Sequence, residues 1–160
     1  ALDMSPTAIG LIFFGWGLAL AVFSVLVAPW FQRRYPGDRL IAGGLGAMAL
    51  LLAAMALGNH PLTVAAVILS GAVMGVNNTV FTEMAMEVSG EPRAVASAAY
   101  NFVRWFAGVV APYAAPSIAA HFGEAATFGV AAAASLVGVA VMWSRRHHLG
   151  RFGSVPLAAE

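Results

Sequence analysis

The chain alternates between long apolar blocks and short polar breaks. The blocks cover residues 6–30, 39–57, 62–87, 93–120 and 124–143. Each is close to the roughly 20 residues that a helix needs to cross a bilayer. The breaks carry Gly and Pro among charged residues: "RRYPGDR" at 33–39, "GNHP" at 58–61, "SGEP" at 89–92 and "HFGE" at 121–124. Such clusters punctuate helices. Ser5 before Pro6 suits a capping residue followed by proline at the first helical position, and Glu91 before Pro92 repeats the arrangement. The ten-residue alternation of a membrane β-barrel is absent. The pattern predicts an all-α membrane protein with five transmembrane helices in a bundle over 1–146 and a tail over 147–160.

Composition agrees. Of 160 residues, 61% are hydrophobic and 9% charged, against roughly 25% charged in soluble domains. Net charge is +1, which points to no nucleic-acid partner, and with no cysteine there are neither disulfides nor thiolate metal sites. The chain opens "ALDMSPTAIG", without a basic signal region or an initiator Met, and reads as an internal segment or a processed chain.

The arginines give direction. Arg33, Arg34 and Arg39 lie in the first connection, Arg93 in the third, and Arg145, Arg146 and Arg151 after the last block. An up-and-down bundle gathers all seven on one side, the cytoplasmic one by the positive-inside rule. The C-terminus is then cytoplasmic, in an inner membrane. His147 and His148 read as part of a basic membrane anchor, with metal capture the alternative.

Glycines mark where helices touch: Gly10, Gly15 and Gly17 in the first block, Gly43, Gly44 and Gly46 in the second, Gly71 and Gly75 in the third. They read as packing seams or as sliding surfaces.

The eighth arginine, Arg104, has no charged neighbour within ten positions. It lies eleven residues past Arg93, about 16 Å along a helix and near the middle of the bilayer core. Ser97, Asn101, Arg104, Gly108, Ala111 and Ala115 recur at helical spacing, so Arg104 shares a polar stripe turned to the bundle interior or a water-filled cavity. Partners are expected on the third block: a bond from Arg104 to Asn77 or Asn78, with Glu83 within reach. The arrangement is a structural clamp or a substrate site, with Glu83 the proton-coupling candidate. Phe81, Tyr100, Trp105 and Trp16, with Met84 and Tyr113, are candidates to line an apolar cavity, or are packed and lipid-facing side chains.

These residues resemble the C-terminal half, eighth to twelfth helix, of a major facilitator superfamily transporter. "APWFQRRYPGDR" is similar to the family's loop signature G-x-L-a-D-R-x-G-R-R; it keeps Arg33, Arg34 and Gly37, followed by Asp38 and Arg39, with Gln32 where the acidic residue usually falls. The fourth block resembles the drug antiporter signature G-x8-G-x3-G-P-x2-G-G at Ala98, Ala107, Ala111, Pro112, Ala115 and Pro116, with the glycines replaced. Pro112 and Pro116 are expected to kink that helix, as a static bend or a gate.

The resemblance implies a six-helix half-bundle whose first helix and whose N-terminal partner half lie outside this sequence. It implies alternating access and proton-coupled export of small hydrophobic or drug-like molecules, with protons and lipid as partners and no cofactor. A sugar or metabolite carrier and a non-transporting scaffold are the alternatives. No nucleophile–base pair or metal-spaced cluster suggests an enzyme.

Overall fold

The computed structural model describes residues 4–88 and 92–149, with side chains for 4–87 and 92–144. The tail beyond 149 and the side chains of Arg145, Arg146, His147 and His148 lie outside the described residues, as does Glu91. The described residues form helices only: α1 (Pro6–Val22), a π-helical turn (Phe23–Val27), α2 (Ala28–Gln32), α3 (Gly37–Ala56), α4 (His60–Val88), α5 (Arg93–Phe122) and α6 (Glu124–Leu149). α1, the π-turn and α2 form one span, so five spans are long and apolar enough to cross a membrane: Pro6–Gln32, Gly37–Ala56, His60–Glu87, Arg93–Phe122 and Glu124–Ser144.

Local chemistry sets the ends. The Ser5 hydroxyl accepts from the Ala8 N–H at 3.3 Å, with Pro6 at the first helical position. Pro92 is itself the cap of α5, and the helix proper starts one residue later, at Arg93. Gly58 (φ +69) and Gly123 (φ +89) end α3 and α5 in backbone conformations that side chains resist. Asn59 opens α4, its side-chain oxygen accepting from the Leu62 N–H at 3.2 Å.

The π-turn has a clear cause. Pro29 has no N–H to give the Val25 carbonyl, and its ring would collide with that carbonyl in a regular helix. The chain widens instead, and the Ala28 N–H reaches back five residues to the Phe23 carbonyl.

α4 is the centre of the bundle, packed against α1, α2 and α3; α3 in turn packs against α6, while α5 touches α4 and α6 more lightly. The buried apolar residues are mostly alanine: Ala28, Ala49, Ala66, Ala72, Ala96 and Ala132, beside Ile41, Met55 and Val80. Small residues suit helices in lipid, where association depends on close approach and not on water exclusion.

The glycines divide sharply. A Cβ on Gly71 would run into the Trp16 carbonyl, and one on Gly75 into the Leu20 carbonyl, with the Ser24 nitrogen 3.0 Å away. These two are a true seam, with backbone on backbone. Gly10, Gly17, Gly43 and Gly46 face open space, and Gly15 makes only ordinary contact with Ile68.

Replacing Gly71 and Gly75 together by Ala is expected to push α1 off α4. The cost should be in the range of about 1–3 kcal/mol that overpacking typically brings. A thermal melt of the detergent-solubilised full-length protein reads this as a lowered midpoint, with the double variant Gly10→Ala, Gly17→Ala as the unaffected control.

Candidate functional site

The polar side chains fall into two groups. The first lies on α4. Gly71, Gly75, Thr79 and Glu83 recur every four residues, so the glycine seam continues as a polar ridge. That ridge is pressed against α1 and α2. The Ser24 and Thr79 hydroxyls share a hydrogen bond of 2.9 Å, and Thr79 also donates to the Gly75 carbonyl at 3.1 Å. Further along, the Gln32 side-chain amide donates to the Glu83 carboxylate.

Glu83 and Thr79 therefore meet the first span. The expected bond from Arg104 to Asn77 or Asn78, with reach to Glu83, is not what the structure has. The reason lies in Gly71 and Gly75, which bring α1 against this face and leave α5 outside it. Gln32, at the loop signature's acidic position, is the partner that sequence reasoning missed. Its signal was the four-residue series 71, 75, 79, 83.

Asn77 turns to α3. It is 8% exposed, and its side-chain oxygen has no hydrogen-bond partner among the described residues. The carboxamide fills the space where Gly44 lacks a side chain: a Cβ there would stand 2.7 Å from the Asn77 Cγ. Asn78 is half-buried, and its carbonyl accepts from the Thr82 hydroxyl at 2.7 Å.

The second group lies on α5. The Asn101 amide donates to the Ser97 hydroxyl at 3.4 Å. Arg104 is exposed and makes no hydrogen bond or ion pair with the described residues. Almost every face of this helix is open; Ala96 is its buried residue. Trp105 is 73% exposed and Tyr113 86%, and Phe102 stacks on Phe106 with ring centroids 6.2 Å apart. Tyr100 is half-buried. Trp16, also half-buried, is held at the seam, where its ring edge would crowd a Cβ on Gly71. Phe81 is half-buried on α4. Among the described residues no hydrogen bond or cation–ring contact joins Trp16 or Phe81 to Arg104. α5 runs unbroken through Pro112 and Pro116, and beside them the Thr127 hydroxyl of α6 donates to the Ala115 carbonyl at 3.4 Å.

In the connection 33–36, Arg33 and Arg34 are exposed, and the Arg34 guanidinium lies over the Trp30 ring at 4.4 Å. Gly37 packs under Met84: a Cβ there would stand 2.7 Å from the Met84 sulfur, so that flexible side chain would have to move. Asp38 lies in the first turn of α3, where a carboxylate favours the helix dipole. Among the described residues no group of three or more His, Cys, Asp or Glu is placed to hold a metal ion.

The family model described as Major Facilitator Superfamily matches residues 1–157. The chain belongs to the major facilitator superfamily. It is 33% identical over 150 residues to the Multidrug efflux protein YfmO of Bacillus subtilis (strain 168). That match takes in 92% of this chain and 38% of the relative, so the chain spans well under half of the relative's length. No solved structure matches. This major facilitator chain is thus a multi-pass membrane protein of a transporter family, and its five spans form part of a helical bundle.

The Asn77–Gly44 contact yields a double-mutant cycle. Gly44→Ala should lower the melting midpoint of the full-length protein, by a cost of about 1–3 kcal/mol. Asn77→Ala should restore most of that loss in the double variant, because it removes the carboxamide that the new methyl meets. Additive effects in a thermal melt would show that the two residues do not touch.

Proposed function

We propose that the chain is part of a secondary transporter that works by alternating access and exports small hydrophobic or drug-like molecules in exchange for protons. In this reading it supplies the eighth to twelfth helices, and the N-terminal half of the transporter completes the site. The ends carrying Arg33, Arg34, Arg39 and Arg93 face the cytoplasm, as does the C-terminus, in a cell inner membrane.

Arg104 carries the reading. A guanidinium at mid-bilayer depth costs at least about 2.5–3.5 kcal/mol on insertion scales, so it must face water, a partner or a substrate. The described helices leave it unpaired on an open polar stripe with Asn101 and Gly108. The similarity to a multidrug efflux protein supports a small-molecule substrate. The open aromatic surface of Trp105, Phe102 and Tyr113 suits apolar cargo. Glu83 is the proton carrier in this scheme, and the group that meets it is the neutral amide of Gln32. Pro112 and Pro116 deprive the Gly108 and Pro112 carbonyls of their usual donors and give α5 a place to bend.

The test uses the full-length protein in sealed vesicles with an imposed proton gradient. Arg104→Ala should cut flux of a lipophilic dye about 10–100-fold, the equivalent of losing a charge-assisted bond of about 1.5–3 kcal/mol, and Arg104→Lys should recover part of it. Glu83→Gln should leave dye exchange at equilibrium but abolish its response to the gradient. Wild-type levels of gradient-driven flux in Arg104→Ala would refute the assignment.

A further inference from the structure

A groove of about 590 Å³ opens on the flank of the bundle between α3, α4 and the span that holds the π-turn. It lies away from Arg104 and takes no part in the scheme above. Its walls include Phe23 and Phe31 on one side and Leu69 and Val73 on the other; Gly43, Gly44 and Ala47 keep the α3 side shallow. Every lining residue is apolar except Arg39.

Three observations bear on its occupant. Arg39 and Leu50 both line the groove and are eleven residues apart on α3, about 16 Å along the axis. That is half of a hydrocarbon core about 30 Å thick, so the groove runs from the interface to the midplane. It is open sideways at that depth, with Leu50 and Leu69 exposed on its walls, so an occupant enters from the bilayer. Finally, the Arg39 side chain is exposed and makes no hydrogen bond or ion pair with the described residues. Asp38 precedes it in the first turn of α3, but no described carboxylate forms an ion pair with it. Glu83 is engaged by Gln32, Arg34 lies over Trp30, and Arg33 adds a second exposed cation to the same end.

We propose that this groove binds one acyl chain of an anionic phospholipid, with the lipid phosphate held by Arg39. An apolar slot one leaflet deep matches a single chain. A cation lining its interfacial end matches a phosphate at headgroup level, and basic pockets between membrane helices select anionic lipids for this reason. The guanidinium fork suits a phosphate, and phosphatidylglycerol, unlike phosphatidylcholine, has no headgroup cation to offset that phosphate's charge. The proposal needs the bilayer but not the transport scheme; lipid binding and dye flux can fail separately.

Native mass spectrometry of the full-length protein, with phosphatidylglycerol and phosphatidylcholine supplied in equal amounts, tests it. Preferential retention of phosphatidylglycerol is expected. Arg39→Gln should lower that preference about fivefold, the equivalent of one interfacial basic residue. Gly43→Leu should reduce retention of both lipids. A Cβ at Gly43 meets nothing within 4 Å, so the added side chain starts from an open position on the wall of the slot. Gly46→Leu adds the same bulk at another open position outside the groove and should retain both lipids. Equal retention of the two lipids by the wild type would overturn the proposal. So would a phosphatidylglycerol preference that survives both Arg39→Gln and Gly43→Leu, or no retained lipid at all, as when another part of the full-length chain fills the slot.

Discussion

Two backbones touch in this bundle, and the rest is arranged around that contact. In lipid, apolar side chains gain nothing by leaving one hydrocarbon for another, so helices associate through close packing and hydrogen bonds. Gly71 and Gly75 remove the side chains that would hold α4 away from α1, and the Trp16 and Leu20 carbonyls come down onto the bare helix. Alanine does similar work elsewhere and makes up most of the buried core.

The same contact organises the polar chemistry. Once α1 lies along the glycine seam, the next residues of the ridge must meet α1 and α2. Thr79 finds Ser24, and Glu83 finds Gln32. The π-turn at Phe23–Val27 sits beside this contact, so one proline two residues beyond it shapes both the span and the surroundings of Ser24. Asn77, on another side of α4, meets Gly44 of α3. α4 thus directs polar groups to two neighbours at once, which fixes its rotation in a way that apolar side chains alone would not.

α5 contrasts with this. It carries a mid-span arginine, two prolines and several large aromatics, yet little of it is covered by the described helices. A charge left open at that depth is tolerable only where something polar meets it. The helix richest in unusual chemistry is therefore the one least used to hold these five spans together. Such a division sets a closely packed side built on α4 against an open side on α5.

The sequence by itself determined the five spans, the turns that hold Gly58 and Gly123, and the cap at Ser5, because length, hydropathy and backbone preference act over a few residues. It also determined the family, since the loop at 33–39 is a local string, and the polar stripe of α5, since spacing within one helix is local too. Tertiary structure alone decided which glycines bear contact: Gly71, Gly75 and Gly44 do, while Gly10 and Gly43 look the same in sequence and face open space. It also decided that Glu83 belongs to Gln32 and not to Arg104, and that Arg39 closes one end of an apolar slot. Such pairings depend on the rotation of one helix against another. In a chain where most faces are apolar, that rotation is set by backbone fit between distant segments, which local pattern does not record.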